Sequence, residues 1–382
     1  MKKILLNYNK LNINWEKSSA IVNKAFPGNF NLSFIEEFMI SNYGSYIEIK
    51  TNNWLSKIQN IIRINDFVKI INSIQNNDDF HNTHISSFKM LGTGFLLSTI
   101  KNNICYYKLL VKKFFEILEK HHIDRDYIYI KICKGGNIKE LSGDKYDINK
   151  NIPQDNLSKE IFSDFDVKFL YDQTRDTFLS LNLYQKTSPW GYRVEVLYKR
   201  KNILIELATF EYFLWEPIKN NEGVIIDIKH FNKGLLLMGI GFERLQMISN
   251  NLNSIIELDY INKHIHFIET LTSLPFTTSR IIYESISCLI IIYNEYSYTE
   301  LKGHRKDKIK QIEKFLFPII IQNNIDSVIL MKIIKNLIEM ENSIQSNFEN
   351  ETNLITSYQV IFDRFYQRLV KFRQDKYGDN FL

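Results

Sequence analysis

The central part of the chain alternates between apolar and polar residues with a period of two. Such alternation is typical of strands, and polar or glycine-containing turns separate the runs. The predicted strands are 127–133, 167–171, 177–184, 192–198, 203–213, 224–228 and 235–238. Consecutive strands joined by short turns pair antiparallel, so the pattern predicts an antiparallel sheet. The lack of strand–helix alternation argues against a doubly wound parallel sheet.

Apolar residues spaced by three and four predict helices on either side of most of these strands. The predicted helices are 101–122, 252–272, 275–295, 304–322, 325–347 and 353–374. A polar stretch at 138–160 predicts a surface loop. The fold class predicted is α+β, with a central antiparallel sheet flanked by helices. We expect one domain over 1–250 and an all-helical domain over 251–382.

An earlier segment predicts a hairpin with a long loop. A β-like run at 58–64 precedes a polar stretch at 75–79, and a second strand-like run follows at 84–92. Arg63 lies within the Ile-rich first run. An unpaired buried guanidinium is costly, so Arg63 needs a partner, and a bound phosphate could supply one through two parallel hydrogen bonds. The alternative is a surface arginine on an edge strand.

The segment 234–245 combines a buried strand, two glycines and the start of a helix. Gly239 and Gly241 would let a ligand approach the backbone closely, since neither has a Cβ. Arg244 would then be held by the beginning of the helix. This arrangement suits a nucleotide, but an ordinary tight turn explains the spacing equally well.

Composition adds little about partners. Of 382 residues, 45% are hydrophobic and 24% charged, as in globular proteins, and the net charge of +5 permits nucleic-acid contact without requiring it. The three cysteines are far apart and form no Cys-x-x-Cys pair, which argues against a structural zinc site. The first residues turn polar too soon for a secretory signal, and the longest apolar run is short for a membrane span. We therefore expect a cytoplasmic protein without a membrane partner.

The order of these features resembles the catalytic core of class II aminoacyl-tRNA synthetases, and within that class the alanyl-tRNA synthetases. The motif sequences are more similar to those of the archaeal type. The likeness covers roughly residues 45–250. Its segments are Ile62-Arg63-Ile64-Asn65-Asp66, His84-Ile85-Ser86-Ser87-Phe88-Lys89-Met90, Glu195-Val196-Leu197-Tyr198, Ile205-Glu206-Leu207-Ala208-Thr209-Phe210 and Gly239-Ile240-Gly241-Phe242-Glu243-Arg244. A fainter likeness over 287–315 extends to the start of the family's tRNA-recognition domain.

The resemblance implies an AMP-forming ligase that activates a carboxylic acid with ATP and Mg²⁺. It implies that Arg63 holds the α-phosphate and that Phe88 and Arg244 enclose the adenine, by stacking and cation–π attraction. The full set of ATP-binding residues it implies is Arg63, His84, Phe88, Met90, Gly239, Gly241 and Arg244. The implied substrate pocket is Glu206, Glu211, Leu237 and Trp190, and the implied Mg²⁺ ligands are Glu195 and Glu206.

Several positions depart from the family pattern. Leu237 replaces an aspartate that binds the α-ammonium of alanine, and Glu211 replaces a valine that contacts its methyl group. Thr83 replaces an arginine and Lys89 a glutamate. Three interpretations follow: activation of a different acid whose amine meets Glu211, activation of an acid without an α-amino group, or a tRNA-binding or regulatory paralogue without catalysis. A protein unrelated to synthetases is a further alternative.

The family's editing domain and C-terminal oligomerising region have no counterpart in the sequence. This favours a specialised ligase over a housekeeping enzyme. The acyl group could pass to tRNA, to the thiol of a carrier protein or to a small amine.

Overall fold

A computed structural model describes residues 15–17, 55–63, 65–97, 103–143, 146–180, 189–295, 303–346 and 357–378. The chain divides into two compact units. The first, which we call the sheet unit, comprises residues 1–18, 33–58 and 90–249. The second, the helical unit, comprises residues 19–32, 59–89 and 250–382. The helical unit thus takes in residues 59–89, which the sequence assigns to the first predicted domain.

The strands of the chain have the following bounds: β1 Trp15–Lys17, β2 Leu55–Ile62, β3 Ser87–Leu97, β4 Ile128–Cys133, β5 Gly136–Asn137, β6 Asn151–Ile152, β7 Lys168–Asp172, β8 Phe178–Ser180, β9 Trp190–Arg200, β10 Ile203–Lys219 and β11 Ile225–Gly241. The main sheet has the order β1-β2-β3-β11-β10-β9-β4-β7, and β8 pairs with β9. β5 and β6 form a separate small ladder. The predicted strands are present where the structure describes them; residues 181–184 of one prediction lie outside the described residues.

Most neighbours in the main sheet run antiparallel, which confirms the predicted fold class of a central antiparallel sheet flanked by helices and followed in the chain by further helices. Two pairs differ from the prediction. β1 pairs with β2, and β4 with β7, in parallel. The return from β4 to β7 is long enough for a parallel connection because it contains two helices, where the sequence predicted a loop over 138–160.

The helices are α1 Phe67–Asn76, α2 Phe80–Thr83, α3 Asn103–Lys120, α4 Ile138–Leu141, α5 Asn156–Ser163, α6 Phe242–Ser249, α7 Asp259–Thr272, α8 Phe276–Glu295, α9 His304–Gln322, α10 Ser327–Ser346 and α11 Tyr358–Tyr377. Short 3₁₀ turns cover Arg125–Tyr127 and Ile255–Glu257. The segment between β2 and β3 is therefore mainly helical. The predicted loop at 75–79 is shorter in the structure, where residues 77–79 form the turn between α1 and α2.

One face of the main sheet is covered by aromatic packing from α3 and α5. Phe210 of β10 lies at the centre of this core, with its ring centroid 5.4 Å from that of Phe114 and 5.3 Å from that of Phe162. Tyr107 of α3 lies 6.2 Å from Phe210 and is fully buried. The core fixes the direction of every second side chain on β9, β10 and β11, because side chains alternate between the faces of a strand.

α8 is the most apolar helix among the described residues. By length and composition the stretch Phe276–Asn294, with a mean hydropathy of 1.2, would suffice to cross a membrane. This stretch is longer than the apolar run expected from the sequence. However, 78% of this stretch is buried inside the protein. Such burial is typical of a core helix.

Candidate functional site

The strand register brings charged side chains together on the face of the sheet opposite Phe210. Arg193 of β9 lies directly opposite Glu211 of β10, and Glu195 lies opposite Thr209. Lys131 of β4 lies opposite Glu195. Because residues directly opposite each other share a face, these side chains form one charged face that spans three strands.

A β-bulge adds Glu206 to the charged face. The pairing of β10 with β9 shifts between Glu206 and Ala208, so Leu207 is the extra residue. Without the bulge, Glu206 would point to the same side as the buried Phe210, since the two are an even number of residues apart. The bulge instead places it on the side of Thr209 and Glu211.

Four of these residues form a line of alternating charge. Arg244 donates from Nη1 to the backbone oxygen of Glu206 at 3.0 Å and to its Oε2 at 3.2 Å. Nη2 of Arg193 lies 3.6 Å from Oε1 of Glu206, and Nε of Arg193 lies 3.8 Å from Oε1 of Glu211. We call Arg244, Glu206, Arg193 and Glu211 the charge line. Its contacts lengthen from Arg244 toward Glu211.

At the Glu211 end of the charge line, the charged groups have weaker ion-pair and hydrogen-bond contacts than at the Arg244 end. Nε of Arg193 is buried and has no hydrogen-bond partner among the described residues. Burial raises the pKa of Glu211, although the positive charge of Arg193 opposes the shift. Burial also opposes the charge of Arg193, but Glu211 and Glu206 raise its pKa overall. A ligand that brought a positive charge to Glu211, or hydrogen-bond acceptors to Arg193, would find both groups incompletely paired.

Arg244 is held rigidly at the start of α6. It is 7% exposed, and residues 242–248 of this helix are all buried. The bond to the backbone oxygen of Glu206 ties its guanidinium to β10. The prediction that the helix start fixes this arginine agrees with the geometry.

Glycines of β11 lie on the charged face next to the charge line. Gly239 of β11 lies directly opposite Gly92 of β3. A Cβ on Gly239 would lie 3.2 Å from Sδ of Met90 and 3.6 Å from Oγ1 of Thr209, so those two side chains border the space above the glycine. A Cβ on Gly241 would make only ordinary contacts with Arg244, at 3.8 Å from its Cδ. The space above Gly239 is therefore occupied by the Met90 side chain, and Gly241 is the less crowded of the two glycines.

Leu237 lies directly opposite Glu211 on the same face and is 1% exposed. An apolar side chain thus borders the carboxylate at the position where the family pattern has an aspartate. The structure brings together eight of the predicted residues in this part of the sheet, namely Met90, Glu195, Glu206, Glu211, Leu237, Gly239, Gly241 and Arg244.

The predicted Mg²⁺ ligands do not fit the ion in this arrangement. Oε2 of Glu195 is 2.7 Å from Nζ of Lys131, and Glu206 is paired with two arginines. Burial raises the pKa of Glu195, while the hydrogen bond from Lys131 opposes this. No group of three or more potential metal ligands occurs within the described parts of the chain. The two carboxylates therefore act as partners of cationic side chains.

Trp190 lies on the other side of the sheet. It is two strand positions from Tyr192 and so faces away from Arg193. It is 1% exposed, and its ring lies 4.6 Å from that of Tyr146 and 5.9 Å from that of Phe178. The structure thus places Trp190 in an aromatic core and not on the charged face.

The remaining predicted residues belong to the helical unit. The Arg63 guanidinium lies 4.7 Å from the centre of the Phe88 ring, a cation–π contact, and its Nη1 is 3.6 Å from Oδ2 of Asp66. The Arg63 side chain is 22% exposed. The backbone N–H of Arg63 donates to the Ser86 oxygen at 2.7 Å, which ties the two predicted motif segments together.

His84 makes local contacts. Its Nδ1 lies 3.0 Å from the backbone oxygen of Phe80 and 2.9 Å from Oγ1 of Thr83, and its ring stacks on Phe80 with centroids 3.8 Å apart. Its predicted contact with ATP stays a prediction. The same holds for the adenine sandwich, because Phe88 and Arg244 belong to different units.

Lys89 has a structural partner. Its Nζ lies 2.9 and 3.1 Å from the carboxylate oxygens of Glu341 on α10, and Nδ2 of Asn60 donates to the same carboxylate at 2.8 Å. Lys89 and Glu341 are 5% and 7% exposed. Lys89 therefore has a packing role within the helical unit, so its difference from the sequence pattern that it resembles is not by itself an argument for the non-catalytic alternative.

Sequence reasoning missed Arg193 as a site residue. It lies in the alternating run Tyr192-Arg193-Val194-Glu195-Val196, where every second residue is apolar and buried or nearly so. A charged residue in phase with Glu195 should share its face, so the signal was present in the period-two pattern.

No protein-family model and no curated protein matches this chain. Solved structures similar to it include the apo histidyl-tRNA synthetase of S. aureus, with 8% identity and a TM-score of 0.36 over 66% of this chain and 71% of that one. The pyrrolysyl-tRNA synthetase from Desulfitobacterium hafniense has 11% identity and a TM-score of 0.32, covering 68% and 71%. The asparaginyl-tRNA synthetase from Pyrococcus horikoshii, complexed with asparaginyl-adenylate, has 11% identity and a TM-score of 0.32, covering 66% and 65%. None of these three is an alanyl-tRNA synthetase, and all are distant in sequence and shape.

Proposed function

We propose that the chain is an ATP-dependent, AMP-forming ligase that activates an amino acid or another carboxylic acid, with a core like that of alanyl-tRNA synthetases. The observation that carries the proposal is the charge line, which lies beside Gly239 and Gly241 of β11. It combines a rigid guanidinium with an incompletely paired Arg193–Glu211 end. That combination suits a substrate with a carboxylate and, at most, one amine.

The reaction needs positioning and charge stabilisation but no covalent enzyme intermediate. A carboxylate oxygen of the acid attacks the α-phosphorus of ATP. The bond from that phosphorus to the bridging oxygen breaks, and pyrophosphate leaves with the electron pair. In the second step an acceptor nucleophile attacks the acyl carbon of the adenylate, and AMP leaves.

We assign the proposed roles separately to the residues of the sheet unit and of the helical unit. In the sheet unit, Arg244 stacks on the adenine, and Gly239 and Gly241 line the floor of its pocket. Arg193 orients the acid, and Glu211 and Leu237 determine which acid is bound. In the helical unit, Arg63 stabilises the charge that develops at the α-phosphorus, and its backbone bond to Ser86 supports that role. The acceptor is proposed to be tRNA, a carrier thiol or an amine.

Pyrophosphate exchange tests the activation step. Purified protein is given ATP, labelled pyrophosphate and a panel that pairs each amino acid with the corresponding acid lacking the α-amine. We expect exchange with a subset of these acids. Absence of exchange with every acid, in protein that still binds ATP, would overturn the enzymatic proposal.

Arg63→Ala tests the assignment of the phosphate site. Removing one donor to a developing charge typically costs 10²–10³-fold in rate, so we expect a loss of about 10²-fold or more in exchange. Arg373→Ala, which alters an exposed arginine of the same unit, serves as the matched control. Full activity of Arg63→Ala would show that this segment does not contact the phosphate.

A non-catalytic tRNA-binding protein is the outcome to consider if exchange fails. Binding of tRNA that weakens steeply with salt, without ATP turnover, would support it, because phosphate contacts release counterions. The ion pair of Lys89 with Glu341 removes one of the sequence arguments for that alternative.

A further inference from the structure

A buried ion pair lies inside the most apolar helix of the helical unit. Arg280 and Glu284, one turn apart on α8, are 2% and 1% exposed, and Nε of Arg280 lies 3.6 Å from Oε1 of Glu284. Removing two charges from water is expensive, and an apolar pair of similar volume is often at least as stable. The pair is therefore poorly explained by stability alone.

Both side chains bind the backbone of the segment that leads to β3. Nη2 of Arg280 donates to the backbone oxygen of His81 at 2.7 Å. Oε2 of Glu284 accepts from the backbone N–H of Ser86, also at 2.7 Å. The ion pair thus holds residues 81–86 at both ends from a single face of α8.

The same segment determines where Arg63 lies. The Ser86 backbone oxygen accepts from the N–H of Arg63 at 2.7 Å, so a continuous path of short hydrogen bonds runs from Glu284 through Ser86 to Arg63. The carboxylate of Glu341 on α10 forms a second anchor, since it binds Asn60 on β2 and Lys89 on β3. Arg63 lies between the anchored points on β2 and β3.

We infer that Arg280 and Glu284 are positioning residues that set the place of Arg63, and through it the rate of adenylate formation. This inference rests on the proposed function. A displacement of about 1 Å at a reacting group can cost on the order of 10²-fold in rate, so an anchor remote from the substrate can govern catalysis. Burial raises the pKa of Glu284, while the charge of Arg280 and the backbone hydrogen bond from Ser86 oppose the shift.

The double variant Arg280→Met/Glu284→Leu separates positioning from stability. It replaces the ion pair with apolar side chains of similar size, so we expect the fold to persist. We expect pyrophosphate exchange to fall by about 10-fold or more and the KM for ATP to rise, because Arg63 is no longer held. The matched control is Arg368→Met/Glu313→Leu, which removes another ion pair of the helical unit, between a partly buried arginine and a buried glutamate, with 2.7 Å between Nε and Oε1. The control should leave both kinetic parameters within about twofold of the wild type.

Amide hydrogen exchange provides a readout that needs no activity. In the absence of ATP, the amides of Arg63 and Ser86 should exchange faster in Arg280→Met/Glu284→Leu than in the wild type and the control. Arg280→Lys, which keeps the charge but cannot form the same fork, should give an intermediate result and serves if the double variant does not fold.

The two proposals fail in different ways. Unchanged exchange of the Arg63 and Ser86 amides, or unchanged kcat and ATP KM in a folded double variant, would overturn the positioning role. A wild-type protein that activates no acid would overturn the proposed function, whatever the amides show.

Discussion

Replacing Asp155 should change how the stability of the protein depends on pH. Asp155 precedes α5 and is 1% exposed; its Oδ1 accepts from the backbone N–H of Ser158 at 3.1 Å. Its Oδ2 is buried without a hydrogen-bond partner among the described residues. Burial raises the pKa of Asp155 from 3.8 to about 6, and the Ser158 side-chain and backbone bonds offset only part of that shift.

The size of the effect follows from the shift. A folded-state pKa of about 6 against an ordinary value of 3.8 corresponds to about 3 kcal/mol in total. Because the folded state holds the proton more tightly, this stabilisation is fully present below 3.8 and is lost as pH rises through about 6. Roughly 1 kcal/mol of it is lost between pH 5 and pH 8.

Asp155→Asn and Asp155→Ser both keep a residue that can cap α5 and both remove the ionisation. Urea unfolding of the wild type and the two variants at several pH values gives the free energy of unfolding. The difference, variant minus wild type, should rise by about 1 kcal/mol from pH 5 to pH 8 for both substitutions. A difference that stays constant over this range would refute the claim that Asp155 is ionised at a cost.

Three further predictions concern packing and selection. Gly191→Ala should lower the free energy of unfolding by at least about 1–3 kcal/mol in urea titration, because a Cβ there would lie 2.1 Å from the Tyr212 oxygen. Lys89→Met should cost about 3–5 kcal/mol by the same measurement, since it leaves the Glu341 carboxylate buried without its cation, and adding Glu341→Leu should recover most of the loss. Glu211→Gln should raise the KM for an amine-bearing acid about 10-fold and leave the acid without the amine unchanged; since burial raises the pKa of Glu211, this selection should weaken as pH falls. An equal effect on both acids would show that Glu211 does not contact the amine.

The sequence predicted most of the strands and helices because their apolar periods are strong. The strand at 192–198 and the helix at 304–322 lie where their patterns indicate. α1 was missed although Phe67, Ile70, Ile71 and Ile74 have helical spacing and are buried. The parallel pairing of β4 with β7 has no local signal, since an apolar run does not encode the direction of its neighbour.

The site was less predictable for the same reason. The bulge at Leu207 decides which way Glu206 points, and no turn residue marks it in the sequence. The partner of Lys89 lies 252 residues away, so the ion pair with Glu341 cannot be read from either segment alone. In β9, by contrast, the alternation of apolar and charged residues predicts that Arg193 lies on the same face as Glu195. Applying the period of two to this strand would have identified Arg193 as a site residue.

Under the proposed function, the order of the charge line bears on which of its two carboxylates would meet a charged substrate. Glu206 lies between Arg244 and Arg193, so its carboxylate is compensated from both sides and a further cation gains little there. Glu211 lies at the end, where Nε of Arg193 is 3.8 Å from its Oε1 and Leu237 lies opposite it. A ligand ammonium at Glu211 would add the missing compensation and leave the rest of the line intact, whereas one at Glu206 would have to displace an arginine. The order of charges therefore favours Glu211 over Glu206 as the residue that selects the substrate.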